Sequence, residues 1–360
     1  MADATWTKPA LQTHADPAYN AEPDVHRLDD FITPLDRLFV RCNGSIDGVD
    51  LAPERWRLTI DGEVERPFSM FADELLKAFP RREIVSVMEC AGNGRSLYAE
   101  ATDGIPWGLG AVACLRFEGV RLADVLARAG LKASAVYAGH ESPDRNQAGK
   151  PALSRGLPIA KALSPETLIA VSVNGQPLPA LHGGPIRIVA PGFPGAAWQK
   201  WLSRIWVRDR EHDGARMTGL DYRLPRRPIR PGETPDPADF AVIESLPPRA
   251  LITSHAAGAA AAAGSRIVLC GWAWGHGRAV ASVGVSLDGG ATFHDAALGP
   301  ETDRWAWRRF EAAVIVPQGP FAAIPRVALA DGETQPLDGA PWNPKGYCNN
   351  GCQRLDLVGR

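Results

Sequence analysis

Nowhere in the 360 residues does an apolar run approach the roughly 20 needed for a bilayer-crossing helix, so no membrane span is expected. Charge of one sign is also lacking. The formal net charge is −2, which leaves no electrostatic case for binding nucleic acid or an anionic membrane surface. The opening residues, MADATWTKPALQTHADPAYNAEP, hold no basic start followed by an apolar segment. No secretory signal is read there, and the cytoplasm is the expected compartment, with the periplasm as the alternative if a leader has been removed. Cysteines are few and scattered, at Cys42, Cys90, Cys114, Cys270, Cys348 and Cys352. A chain this long has little need of disulfide staples, and a cytoplasmic one would not keep them. Only Cys348 and Cys352 lie close, and without a second Cys/His pair at finger spacing no structural zinc is expected. Missing too are a Cys-x-x-Cys-His haem attachment, a cytochrome b5-like haem segment, and any P-loop or dinucleotide glycine fingerprint.

Proline (31) and glycine (36) are plentiful, which predicts short elements joined by many turns. Residues 1–34 read as extended chain wrapping the body. RWRLTIDGEVERPFSM reads as strand, Asp61-Gly62 turn, strand. SMFADELLKAFP reads as a short helix capped by Ser69, with Phe71, Leu75 and Phe79 on one face and Pro80 as its stop. REIVSVMEC is a buried strand ending at Cys90. RLADVLARAGL is an amphipathic helix burying Leu122, Val125, Leu126 and Ala129, ended by Gly130. LIAVSVNGQPL runs into an Asn174-Gly175 turn, and GPIRIVAPG is a further strand. Residues 210–246, rich in Pro, Arg and Asp, read as a surface connection.

Beyond that connection the pattern changes. SRIVLCGWAW, AVASVGVSLDGGATFHDA, RWAWRRFEAAVIV and FAAIPRVALAD are strand-like runs at regular spacing with no helical pattern between them. HAAGAAAAAG (255–264) reads as a loop despite its alanines, because glycines flank it. The predicted class is α+β: a mixed α+β domain over 1–245, with its core in 35–210, then an all-β immunoglobulin-like sandwich over 246–360.

Two places could carry chemistry. Cys90, in VMECAGNGRS, sits where a strand meets a glycine-bearing loop. It is either a small buried hydrophobe or a thiolate held at a ligand site, with Arg95 near enough to lower its pKa. In LHGGPIRIVAPGFPGAAWQKW, the residues His182, Arg187 and Lys200 punctuate an apolar segment. They are either solvated surface or a recognition site for phosphate or another anion.

The order YNAEP, FITPLDRLFVR, VMECAGNGRS and NGQPLPALHGGPIRIVAPGFPGAAWQKWLSRI, then GWAWGHGRAVASVGVSLDGGATF, WAWRRF and WNPKGYCNN, resembles the sulfite oxidase family of molybdenum cofactor enzymes across nearly the whole chain. The resemblance implies a molybdopterin-binding domain with the sulfite oxidase fold and a dimerisation domain. It places Cys90 as the thiolate bound to molybdenum, with Asn43, His182, Arg187 and Lys200 holding the pyranopterin and its phosphate. Arg41, Arg95 and Lys345 would line the oxyanion pocket, with Trp107 and Tyr222 as its aromatic wall. The implied reaction is oxidation of sulfite to sulfate by oxo transfer at molybdenum, with electrons passing to an external acceptor, a cytochrome or oxygen, and no haem in the chain. A homodimer is implied as well. The alternative is a related molybdoenzyme acting on another oxyanion or an S-oxide. The sequence departs from the family pattern at Cys42-Asn43-Gly44, which lacks a histidine, and at Gly94, Ala197 and Lys345, where arginine is usual. Lysine at 345 keeps the charge and loses the bidentate fork.

Overall fold

The computed structural model describes Lys8, residues 10–14 and residues 18–360. Two sheets carry the N-terminal unit. In one, Gln176–Pro177, Leu168–Val173, Val112–Arg121 and Arg81–Glu89 lie side by side in that order, and Arg187–Val189 also pairs with Leu168–Val173. In the other the order is Phe68–Phe71, Arg57–Gly62, Arg204–Arg208, Tyr137–Glu141, Gly156–Pro158. All these pairings are antiparallel except that of Arg204–Arg208 with Arg57–Gly62. The apolar faces share one core, which includes Leu58, Ile60, Leu115, Phe117, Ile188 and Ile205.

The helix Leu122–Ala129 forms as its pattern predicts, and Leu122, Val125, Leu126 and Ala129 are all sealed from solvent. Each of its larger apolar side chains contributes roughly 1.5–3 kcal/mol by burial. Gly130 ends it at φ +70°. Asn174 and Gly175 both adopt positive φ, the geometry of a two-residue hairpin turn.

Other local expectations are corrected. Asp61 and Gly62 belong to the strand Arg57–Gly62, and the chain turns after them. Gly62 is needed there because a Cβ would stand 2.1 Å from the Val207 carbonyl oxygen of the parallel neighbour. The predicted helix is a 3-10 turn, Ala72–Glu74, running into one α-turn, Leu75–Ala78. Its start is closed by the Glu74 carboxylate, which accepts from the Phe71 N–H at 2.6 Å, while Ser69 and Phe71 lie in a strand. The described residues of 1–34 also contribute to packing, with Leu11 and Ala21 in the main core and Leu28 in the contact between units, and the extended reading of 1–7, 9 and 15–17 lies outside the described residues. The stretch 210–246 contains a hairpin, Arg223–Pro225 with Phe240–Val242, and buries Met217, Tyr222 and Ile243.

The C-terminal unit is an immunoglobulin-like sandwich of two sheets. One orders Arg249–Ile252, Arg266–Trp274, Arg308–Ile315, Ala297–Leu298; the other orders Ala260–Ala261, Leu355–Gly359, Gly319–Leu329, Val280–Ser286, His294–Asp295. Within 255–264 only Ala260–Ala261 is strand, and the rest is turn and loop. Leu28, Val87, Val112 and Cys114 of the first unit pack on Leu251, Trp272, Trp274 and Trp307 of the second. Trp272 and Trp307 stack at 5.2 Å, and the Trp307 indole donates to the Phe31 carbonyl at 2.9 Å. This apolar contact holds the second unit against the strand that leads to Cys90.

Candidate active site

The strand Arg81–Glu89 pairs with Val112–Arg121 along its full length, and Cys90 follows directly. Its N–H donates to the Ala111 carbonyl and its own carbonyl accepts from Asn93 N–H, both at 2.9 Å. The thiol is thus fixed at the first residue of a tight turn. Gly94 closes that turn at φ +85°, and a Cβ there would lie 2.6 Å from the Asn349 carbonyl oxygen and 3.3 Å from Arg249 Nη2. The second unit therefore fills the place where a side chain at 94 would start.

Cys90 lies between two cavities, together with Arg41 and Tyr222, which line both. All ten residues singled out from the sequence line one or the other. The larger encloses about 660 Å³ of atom-free space and takes Asn43, His182, Arg187 and Lys200 from the first unit. The smaller encloses about 420 Å³ and takes Arg95 and Trp107 from the first unit and Lys345 from the second.

In the larger cavity His182 and Arg187 are buried and Lys200 is half-buried, so the solvated-surface reading of the cluster is set aside. Arg187 donates to the carbonyls of His182 and Trp198, each at 2.9 Å. Lys200 Nζ meets Cys42 Sγ at 3.1 Å and the Leu181 carbonyl at 3.0 Å. Lys8 Nζ meets His182 Nε2 at 2.7 Å. Among the described residues none of His182, Arg187 and Lys200 forms an ion pair with a carboxylate, and Asp144 is the one acidic side chain in the lining. Burial pulls Arg187 down to about 9. Burial, with Lys8, Lys200 and Arg187 adding, holds His182 well below its usual range. Arg187 and Lys200, held by carbonyls and a sulfur with no carboxylate bonded to either, form with Lys8 and His182 a site that an anion would complete.

The smaller cavity is built from both units. Arg95 is 7% exposed, and it donates to the carbonyls of Lys345 at 2.8 Å and Ile105 at 2.5 Å. Gly92 and Gly346 leave it room, since a Cβ on either would come within 2.7 Å of its side chain. Arg41 is held from the YNAEP motif: Asn20 Oδ1 accepts from its guanidinium at 3.2 Å, and Asn43 Oδ1 does so at 2.7 Å. Glu22 of the same motif accepts from the N–H groups of Gly108 and Gly110 at 2.6 and 2.8 Å, which fixes the loop carrying Trp107. The Trp107 indole is fully buried, edge-on to His14 and Phe39. Lys345 Nζ lies 3.3 Å from Asp103 and 3.8 Å from Asp221. Tyr222 stacks on Tyr347 at 5.2 Å and sits at φ +53°.

One expectation fails. Burial raises the Cys90 thiol pKa, and the opposing charges of Arg95 and Arg41 do not overcome it. A thiol in this seat is a poor free nucleophile. No group of three or more His, Cys, Asp or Glu that could cage a bare metal ion is found among the described residues. A single soft sulfur suits a metal that arrives with other ligands of its own. An anionic group extending into the buried cationic cavity fits the donors that line it.

The comparisons agree with this geometry. The molybdopterin-binding domain of oxidoreductases matches residues 43–216, and the Mo-co oxidoreductase dimerisation domain matches residues 241–358. Sulfite oxidase of Gallus gallus is 34% identical over 361 residues, covering 96% of this chain and 77% of its own. The chain belongs to the sulfite oxidase family. Mitochondrial sulfite oxidase of Homo sapiens is 36% identical over 372 residues, covering 99% of this chain and 67% of its own length. Among solved structures, the sulfane dehydrogenase SoxCD from Paracoccus pantotrophus superposes with TM-score 0.79 at 25% identity, over 97% of this chain and 88% of that one. As an oxidoreductase of this family, the chain presents a molybdopterin-binding domain whose cationic cavity ends at Cys90.

Sequence reasoning missed several residues here. Arg155 is 1% exposed, donates to the Arg216 carbonyl at 2.5 Å, and lies 4.9 Å from the Tyr222 ring centroid. It thereby holds two wall residues from behind. Arg216, Asp103, Asp221 and Tyr347 also line the smaller cavity. Arg155 is flanked by Ser154 and Gly156 and follows no motif, so its burial had no local signal. Arg216 and Asp221 sit in the stretch read as a surface connection. The remaining departure, Ala197, is 2% exposed in the 3-10 turn Gly195–Ala197.

Proposed function

We propose that the chain oxidises sulfite to sulfate and passes the electrons to an external acceptor. The observation that carries this reading is the position of Cys90 in the wall shared by a cavity lined by His182, Arg187 and Lys200 and a second cavity lined by Arg41, Arg95, Arg216 and Lys345. When bound, the molybdenum–pyranopterin cofactor supplies oxygen-atom transfer and two-electron redox chemistry at the metal. His182, Arg187, Lys200 and Asn43 hold its anionic and polar groups, and Cys90 gives the metal a sulfur ligand. Arg41, Arg95, Arg216 and Lys345 face Asp103 and Asp221 in the smaller cavity, leaving an excess of positive charge for a small oxyanion. Arginine forks orient its oxygens by charge-assisted hydrogen bonds, and Trp107 and Tyr222 limit the space around it.

The reading is tested by purifying the chain from a host that makes molybdopterin. Molybdenum and pterin near one per chain are expected, with ferricyanide reduction that depends on sulfite. Loaded protein inert toward sulfite would move the reading to another oxyanion or an S-oxide. Lys345→Met is expected to raise KM for sulfite about fivefold with little change in kcat, the size of one charged contact at a partly exposed site. An unchanged KM would remove Lys345 from substrate binding.

We also propose a homodimer formed through the second unit. The dimerisation-domain match over residues 241–358 supports this, and Val268 and Ile315, 46% and 58% exposed on the outer face of its four-stranded sheet, are apolar side chains such an interface would cover. Light scattering at micromolar concentration should give twice the chain mass, and monomers alone would overturn the assignment.

A further inference from the structure

Glu89 precedes Cys90, and its side chain is 4% exposed at the contact between the two units. One carboxylate oxygen accepts from Asn93 Nδ2 at 2.9 Å and Arg249 Nε at 3.1 Å. The other accepts from Trp274 Nε1 at 2.8 Å and His276 Nε2 at 2.9 Å. Arg249, Trp274 and His276 all come from the second unit. Arg249 Nη2 also donates to the carbonyls of Asn93 at 3.1 Å and Asn349 at 2.6 Å. Asn93 Oδ1 accepts from Ala111 N–H at 3.1 Å, the residue whose carbonyl holds the Cys90 N–H. Both ends of the turn that presents the thiol are therefore tied through one carboxylate to another unit.

Two features show that the arrangement is held against a cost. A buried carboxylate is tolerated only with full compensation, and here both oxygens are doubly satisfied. His276 sits at φ +54°, a left-handed backbone that costs a non-glycine residue free energy, and its ring reaches Glu89 from there. The Arg249 guanidinium, 3.1 Å from one oxygen, supplies the positive charge that balances the carboxylate across the contact between units.

We infer that Glu89 is a positioning residue for Cys90, through which the docked second unit fixes the direction of the thiol toward the cofactor cavity. The inference rests on the reading of Cys90 as the metal's sulfur ligand. Neutralising the carboxylate with near-constant shape should then change the metal's electronic environment without emptying the site. In Glu89→Gln, pterin and molybdenum content should match wild type. The g-values of the half-reduced Mo(V) signal should shift, and kcat should fall about tenfold, the scale on which outer partners of metal ligands act. KM should stay within about twofold, because no substrate contact is touched. Trp274→Phe removes one donor from the second unit alone and should move the same signal in the same direction by less.

A lowered melting temperature with unchanged g-values and kcat in Glu89→Gln would overturn the inference and leave Glu89 as structural glue. If Glu89→Gln does not fold, an unchanged signal in Trp274→Phe overturns it equally. Wild-type protein that carries pterin and metal but shows no sulfite turnover would strike the proposed substrate and leave this test intact. Wild-type protein without molybdenum would overturn both.

Discussion

Cys90→Ser is expected to abolish sulfite-dependent turnover, by more than about 100-fold, while the protein still folds. Substitution of groups that only support metal ligands already costs about 10–100-fold, and here the ligand itself is replaced by a harder donor. The fold should survive because the swap is nearly isosteric and the thiol lies on a cavity wall. The two backbone hydrogen bonds that set the turn involve main-chain atoms alone, so the substitution leaves them in place. Pterin content should stay near wild type, since the buried cations that would hold it lie elsewhere in the cavity. Circular dichroism, pterin and molybdenum content and the ferricyanide assay on one preparation separate these effects. Turnover within a few-fold of wild type would remove Cys90 from the metal.

The main elements of the fold were legible because they follow local rules. The strand into Cys90, the helix Leu122–Ala129 and the Asn174-Gly175 turn are each set by periodicity or by residues that tolerate positive φ. The helix expected after Ser69 failed locally, since Glu74 closes its start at Phe71; at Gly62 and Cys90 the deciding partner is remote in sequence. Gly62 resembles a turn residue, but it is required by Val207 on a parallel strand. Cys90 has cationic neighbours in sequence, but burial from distant segments sets its pKa direction. The cavity residues came into view through the order of whole motifs rather than through any one spacing. Arg155, which holds the site from behind, had neither kind of signal, and Glu89 lay inside a motif but nothing local showed its partners in the second unit. Lys345 and Tyr347 reach the cavity from the unit read as a dimerisation domain, so that unit also completes the pocket.

Lys200→Met is expected to act in opposite directions on cofactor binding and on the stability of the cofactor-free chain. Lys200 is half-buried with a sulfur and a carbonyl as its hydrogen-bond partners, and burial lowers its pKa. Without an anion in the cavity, its charge is offset only in part, by Cys42, by Asp144 and by the Trp201 ring 4.5 Å away, and a methionine of similar length should relieve the remaining cost, roughly 1 kcal/mol. With the cofactor present the same ammonium gains a charged partner, worth about 1.5–3 kcal/mol, so removing it should weaken retention by up to about 100-fold. The pH dependence has a defined sign. Lys8 beside His182 is pulled down to about 7, chiefly by burial, with Lys200 adding and Asp36 opposing. Between that pH and the ordinary lysine range, the unfolded chain holds a proton that the folded chain has shed. Stability of the cofactor-free protein should therefore rise with pH across that window, and the lowered pKa of Lys200 contributes in the same sense. In Lys200→Met the rise should shrink, because one of the groups that produces it is gone. Thermal melts of cofactor-free wild type and variant from pH 6 to 9, beside pterin loss from the loaded forms on dilution, measure both signs. A variant that melts lower than wild type throughout, with unchanged pterin loss, would show that Lys200 serves the fold and not the anion.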